Sequence, residues 1–319
     1  MKNIDDMKLI VNGIPNSNPQ DPTIISVLKD EIIRLPYFFK YYKNIGIKHF
    51  IMIDNDSKDG SFQFLQNAVQ DYNITLYHTK ASYRNNNQGN LWREKIMKHY
   101  GDNKWYLLVD IDELLFYDGA DNDIKIDNIC KNCDDNGWNV YRSFCLDMYP
   151  NCKLNTLNYI PGESFFKYTP YFDHLSDNYN IKYNLYFNNN PDDLNSSKFY
   201  YDNVTGGVRK RCFDYDSMLT EHILFKYNKK MKIFPGTHQI GPKKLIKKSL
   251  TRGLMLHFKW VSFAKNFIDK RIQENQMYDN SSDYQNYKKN SVWDMNFFDK
   301  KYSSKFIDSK QLKILNLLY

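Results

Sequence analysis

The chain has 319 residues, with 44 Lys and Arg against 37 Asp and Glu for a formal net charge of +7, and it is 42% hydrophobic and 16% aromatic. That much apolar surface excludes a disordered chain, and no run approaches the ~18 consecutive apolar residues of a membrane-spanning helix. The opening MKNIDDMKLI carries acids and too short an apolar stretch for a signal peptide, so a cytoplasmic location is expected. Five cysteines, an odd number without an export signal, read as reduced thiols. Cys130 and Cys133 form a CxxC, but no second pair stands at zinc-ribbon distance.

After a Pro- and Asn-rich lead-in over residues 1–22, TIISVL (23–28) reads as a short buried strand. DEIIRLPYFFKYYKNIG follows as an amphipathic helix ending at Gly46, beginning or kinking at Pro36. KHFIMID (48–54) reads as a strand, DNDSKDGS as a polar turn with Ser57 or Asp59 as cap, and 61–71 as a helix. A strand over 74–79, a helix over about 89–99 and a strand over WYLLVDID (105–112) complete the series. Continuously apolar strands alternating with helices imply an α/β fold with a mainly parallel sheet, covered on both faces. Ligands then sit at the carboxyl ends of the strands.

Asp110 and Asp112 end the last of those strands, and alternation puts both on one side, about 6 to 7 Å apart. Two carboxylates so placed repel one another unless a cation lies between them. Oxygen ligands suit Mg²⁺ or Mn²⁺ bridging to a diphosphate. The 48–54 strand also ends in an aspartate, Asp54, which makes a nucleotide pocket of the two strand ends.

VLKDEIIRLPYFFKYYKNIGIKHFIMIDNDSKDGS, then Gln88, then WYLLVDIDELL together resemble the donor half of bacterial family-2-like glycosyltransferases of the GT-A fold. The likeness continues through LDMYP, YFD, GGVRKRCF, GTHQI, LHFKW and YQNY, from about residue 23 to the closing helices. It implies a catalytic domain over 23–261, with a donor half at about 23–118 and an acceptor half at about 119–261, and a helical extension over 262–319 packed on the same domain. It further implies that Asp54 reads the uracil of a UDP-sugar, that Asp110 sits by ribose and metal, and that Asp112 binds the metal. His257 would be a third ligand. Glu31 and Gln88 belong to the same donor side, and Arg209 and Arg211 are candidate contacts to phosphate or acceptor. Asp147 is the chosen base of an inverting transfer, with Asp173 and Glu221 as rivals. His238 and Asp173 are placed on the acceptor side. The acceptor would be a glycan or lipid-linked glycan in surface-polysaccharide or glycoconjugate synthesis.

Tyr37, Phe38 and Tyr42 depart from the usual pattern, Asp30 stands where Asn is usual, and Glu221 where a basic residue is usual. A strand ending in D-x-D also opens haloacid-dehalogenase-like phosphatases. That class expects Thr or Val where Leu114 stands and a downstream G-D-x-x-x-D that is missing here. The dispersed Tyr and Phe form no recognisable nucleic-acid-binding motif, so no nucleic-acid partner is expected. The clusters KKLIKK (243–248) and VRKR (208–211) suit anionic partners, and the first, with the basic helical tail, suits peripheral contact with an anionic membrane.

Overall fold

The computed structural model describes residues 3–174, 184–186, 203–215, 217–233, 240–262 and 265–319. Nine strands form the main sheet: β1 (Lys8–Val11), β2 (Thr23–Leu28), β3 (His49–Asp54), β4 (Ile74–His78), β5 (Trp105–Leu108), β6 (Glu113–Phe116), β7 (Val140–Asp147), β8 (Thr220–Lys226) and β9 (Lys248–His257). Their order is β1-β4-β3-β2-β5-β8-β7-β9-β6. β4, β3, β2 and β5 pair in parallel, as do β7 and β9. β8 joins the two blocks by antiparallel pairing to β5 and β7, while β1 and β6 run antiparallel at the edges. Six of the nine strands therefore point the same way, and their carboxyl ends share one edge. The mixed, mainly parallel α/β sheet expected from the sequence is what forms.

Both faces of the parallel block are apolar, which is why its strands read as unbroken hydrophobic runs. Ile24, Leu28, Phe50 and Met52 face α1 (Leu35–Asn44), α2 (Ser61–Ala68) and α4 (Ile126–Asp135). Ile25, Val27, Ile51 and Ile53 face α3 (Asn90–Tyr100) through Trp92, Ile96 and Met97. In α1, Pro36 occupies the second position, where a missing N–H removes no helical bond. Tyr42 has a visible structural place. Its hydroxyl donates to the Glu113 carbonyl at 2.8 Å and accepts from the Leu115 N–H at 3.0 Å, tying α1 to β6.

The expected strand over 105–112 is shorter. β5 ends at Leu108, residues 109–112 turn, and β6 begins at Glu113 beside β9 on the far edge of the sheet. Side-chain bonding replaces the ladder: the Asp110 N–H donates to Glu113 Oε2 at 2.8 Å, and the Glu113 N–H to the Asp110 carbonyl at 3.1 Å. The orientations of Asp110 and Asp112 follow from this turn and not from strand alternation. Neither Ser57 nor Asp59 caps α2, whose cap is Gly60 at φ 101°. Ser57 and Asp59 accept from the Asp30 and Ile32 N–H groups at 3.0 and 2.9 Å, stitching the β3–α2 turn to the β2–α1 turn.

The VRKR cluster is not one basic surface. It lies on α5 (Gly207–Phe213), where Val208 is buried, Lys210 pairs with exposed Asp214, and the two arginines reach buried carboxylates. Beyond β9, helices α6 (Lys265–Glu274) and α7 (Ser282–Lys289) pack on α5 through Phe213, Trp260, Ile268 and Tyr287. No described helix is long and apolar enough to cross a membrane.

Buried His49 bonds Thr75 Oγ1 at 2.9 Å, and burial, then the nearby Lys104 charge, pushes its pKa down to about 4. With the unfolded value near 6.5, the unfolded chain binds the extra proton between those values, so stability is full above pH ~6.5 and falls toward pH ~4. We expect His49→Gln to flatten the wild-type loss of about 3 kcal/mol over that window, measured by urea unfolding at successive pH values.

Candidate active site

β2, β3, β5, β7 and β9 all finish at one edge of the sheet, and a cavity of about 310 Å³ opens there. The β2–α1 turn contributes Lys29, Glu31 and Arg34, and the turn after β5 contributes Asp110, Asp112 and Glu113. His257 ends β9 and Lys259 follows it, Arg209 reaches in from α5, and Phe267, Arg271 and Tyr284 close the side formed by α6 and α7. Gln88 enters from the segment before α3. Gly89 beside it has φ 77°, and a Cβ there would lie 3.1 Å from Val27 Cγ2, so glycine is required.

The acidic turn holds carboxylates in different states. Asp110 Oδ1 accepts from Arg93 Nη2 at 2.6 Å, yet burial outweighs that arginine and raises its pKa. Burial, with repulsion from Asp110 and Glu221, pushes Glu113 up to about 8. Burial also works to raise Asp112, but His257, with Arg34 and Lys259 behind it, holds this carboxyl well below the usual range. Asp112 Oδ2 stands 3.6 Å from His257 Nε2. The Asp112 carbonyl accepts from the Phe258 N–H at 2.7 Å, so the turn and the end of β9 are fixed to each other.

Behind His257 lies a second buried group. Asp147 accepts from Arg209 Nε at 2.7 Å and Nη2 at 2.8 Å, and from His257 Nδ1 at 2.7 Å. Burial pushes its pKa up, and the guanidinium and imidazole overcome that and keep it far below normal. Cys145, Asp147 and His257 offer ligand atoms within 4.8 Å of one another. Arg209 Nη2 is 3.3 Å from Cys145 Sγ, however, and burial pushes that thiol up to about 11. A guanidinium inside the cluster repels a second cation.

The donor set on the cavity side fits a hard divalent cation better. Against burial, Asp112 and Asp147 hold His257 protonated, its pKa well above the ordinary value. Once Nε2 gives up its proton to a metal, Nδ1–H still donates to Asp147, the carboxylate–histidine arrangement that orients metal ligands. One imidazole nitrogen with carboxylate oxygens suits Mn²⁺ or Mg²⁺.

The structure brings Glu31, Gln88, Asp110, Asp112, Arg209, Glu221 and His257 to this cavity. Asp54 does not reach the wall. It is fully buried, accepts from Ser57 N at 3.3 Å and meets His78 Nδ1 at 3.0 Å, and its neighbour Asn55 lines the cavity instead. Asp147 is 4% exposed, behind Arg209 and His257. Asp173 and Arg211 form a separate buried pair at 2.8 Å, with Tyr149 donating to the same carboxylate, away from the cavity. His238 lies outside the described residues. Sequence reasoning missed Arg34, Lys259 and Arg271. Arg34 and Lys259 gave no signal beyond ordinary basic residues in apolar context, and Arg271 sat in a helix assigned to packing.

No family model and no curated protein matches the sequence. Among solved structures, S. aureus TarS 1–349 aligns at 12% identity over 55% of this chain and 51% of its own, with a TM-score of 0.31. The same TarS fragment in complex with UDP aligns at 13% identity over 50% and 43%, with a TM-score of 0.27. A UDP-glucose pyrophosphorylase from Acinetobacter baumanii aligns at 8% identity over 42% and 59%, with a TM-score of 0.26. The match spans about half the length of the TarS fragment. Likeness at this level says nothing of activity, and the α/β architecture rests on the strand pairing above.

Removing one member of a buried ion pair strands its partner, at a cost of about 3 to 5 kcal/mol. Arg209→Met should therefore lower stability by that amount in chemical denaturation. The double variant Arg209→Met/Asp147→Asn should recover more than half of the loss.

Proposed function

We propose that this chain is a metal-dependent glycosyltransferase that moves a sugar from a nucleoside diphosphate sugar, UDP-linked by preference, to a glycan or lipid-linked glycan acceptor. One observation carries the reading: an acidic turn at the carboxyl edge of the sheet places Asp110 and Asp112 on a cavity that Arg34, Lys259, Arg209 and Arg271 also line. A pocket lined by an acidic turn and by several cations suits a metal-bridged diphosphate and suits a neutral ligand poorly.

In this reading Asp112 and His257 hold the cation, with Asp110 beside them, and Asp147 orients His257 from behind. A bound Mn²⁺ or Mg²⁺ would supply Lewis acidity toward the departing diphosphate. The acceptor oxygen bonds to the anomeric carbon while the bond from that carbon to the diphosphate oxygen breaks. The electron pair leaves with the nucleotide, and a carboxylate takes the hydroxyl proton. Asp147 is a poor choice for that base, because its oxygens already accept from Arg209 and His257. Glu221 lines the cavity and is better placed, whereas Glu113 accepts from the Asp110 N–H and burial pushes it up to about 8. Asp54 acts on the nucleobase only through the β3–α2 turn whose backbone it accepts from, and Asn55 is the side chain available for direct contact. Arg211 and Asp173 hold α5 in place.

Lys229, Lys230, Lys232, Lys244 and Lys247 are exposed on and beside the antiparallel pair Lys232–Ile233 and Ile240–Gly241. They support peripheral contact with an anionic membrane bearing the acceptor. Flotation with anionic vesicles should carry the protein, and no association would remove that part.

Calorimetric titration of UDP should show binding that requires Mn²⁺ or Mg²⁺. Asp112→Asn and His257→Gln should each weaken it at least about tenfold. A folded protein that binds no nucleotide under any metal condition would overturn the reading.

A further inference from the structure

Four cations line the cavity besides Lys259 and His257, and each has a carboxylate close by. Lys29 lies 2.9 Å from Glu274, Arg34 2.6 Å from Glu31, Arg209 2.7 Å from Asp147 and Arg271 3.6 Å from Glu274. Lys29 and Arg271 share Glu274, so each of the four has a carboxylate partner within 4.0 Å before any ligand arrives.

Lys259 differs. Its ammonium stands over two rings, 5.0 Å from the centroid of Tyr284 and 4.8 Å from that of Tyr287, and 3.5 Å from the Tyr287 hydroxyl. Among the described residues it makes no ion pair within 4.0 Å. Asp283 lines the same cavity and acts on it from a greater distance. Ring faces attract a cation but do not replace the water or carboxylate oxygens that a half-buried ammonium gives up. The open side of this ammonium is the cavity itself.

Its position is also fixed. The Lys259 carbonyl accepts from Arg34 Nη2 at 3.1 Å, and the preceding Phe258 N–H donates to the Asp112 carbonyl at 2.7 Å. Lys259 is therefore held in register with Asp112 on the wall of the same cavity. The two tyrosines restrict the long side chain, which would otherwise lose rotamer entropy on binding an anion.

We propose that Lys259 is the diphosphate anchor of this pocket, its ammonium taking an oxygen of the distal phosphate of a nucleoside diphosphate, held for that purpose by Tyr284 and Tyr287. The assignment rests on the reading of the cavity as a nucleotide-sugar site. It moves the phosphate contact from Arg209 and Arg211, whose guanidinium groups are bound to Asp147 and Asp173, to a cation with no such partner. The helices beyond β9 then contribute directly to donor binding, because Tyr284 and Tyr287 both lie on α7.

The test is calorimetry on the full chain in Mg²⁺ with UDP, UMP and inorganic pyrophosphate as separate probes, for wild type, Lys259→Met and Lys259→Arg. The expected result is at least a tenfold loss of UDP and pyrophosphate affinity in Lys259→Met. UMP should change less than about threefold, and Lys259→Arg should keep most of the affinity. Should the methionine variant lose its cooperative thermal transition, Lys259→Gln takes its place. Wild-type binding of UDP with no change in Lys259→Met would overturn the anchor and leave the nucleotide reading standing. Wild-type binding of pyrophosphate but of no uridine nucleotide, with loss in Lys259→Met, would keep the anchor and remove the uridine reading. A wild type that binds neither overturns both.

Discussion

The Asp147 carboxylate, buried between the Arg209 guanidinium and the His257 imidazole, is the interaction on which the cavity depends. It joins the ends of β7 and β9 to α5, three elements far apart in sequence. An ion pair removed from water is costly to form and costlier to break, because either partner left alone is an unmatched charge in a poorly solvating interior. Arg209 is thereby held against the wall, and His257 is turned so that Nε2 faces Asp112. The chemistry of the cavity side is set by a residue that does not line it.

The rest of the site follows from one topological constraint. Parallel strands bring their carboxyl ends to a single edge, and here the β7–β9 pair aligns with β2, β3 and β5 although antiparallel β8 intervenes. The turns leaving those strands converge, and their polar groups face one another. Asp110, Asp112 and Glu113 come together after β5, while the β2–α1 turn and the C-terminal helices bring cations already paired with Glu31 and Glu274. Crowding three carboxylates into four residues has its own consequence. Burial and mutual repulsion push Glu113 and Asp110 toward the neutral form, while His257 keeps Asp112 ionised. Identical chemistry at neighbouring positions thus acquires different roles from its surroundings.

Residues 30 and 42, where the sequence differs from the motifs it resembles, also find physical places. Tyr42 spans from α1 to the backbone of β6, which settles the outgoing limb of the acidic turn. Asp30 adopts φ 59°, a left-handed conformation that Asn and Asp both tolerate, and its carboxylate accepts from the Lys58 N–H at 2.6 Å. That exchange preserves the backbone while adding a charge, which Lys270 of α6 meets. The C-terminal helices are therefore bound to the β2–α1 turn by ion pairs and to α5 by apolar packing.

The sequence by itself determined the layer order of the first 100 or so residues, because unbroken apolar strands and amphipathic helices carry their own periodicity. It also determined that Asp110 and Asp112 lie at the carboxyl edge of the sheet. It could not show that β5 stops at Leu108 and β6 departs for the opposite edge, since that depends on the hydrogen bond between Asp110 and the Glu113 side chain. Nor could it separate Arg209 from Arg211, or Asp147 from Glu113. Those pairs look alike in composition and differ only in which buried partner the fold sets beside them. Lys259 is the clearest case: one lysine among many in the chain, it becomes distinct only where two tyrosines of α7, some 25 residues later, close around it. Local pattern is written in neighbouring residues, but the state of a charge depends on every group the folded chain brings within a few ångströms of it.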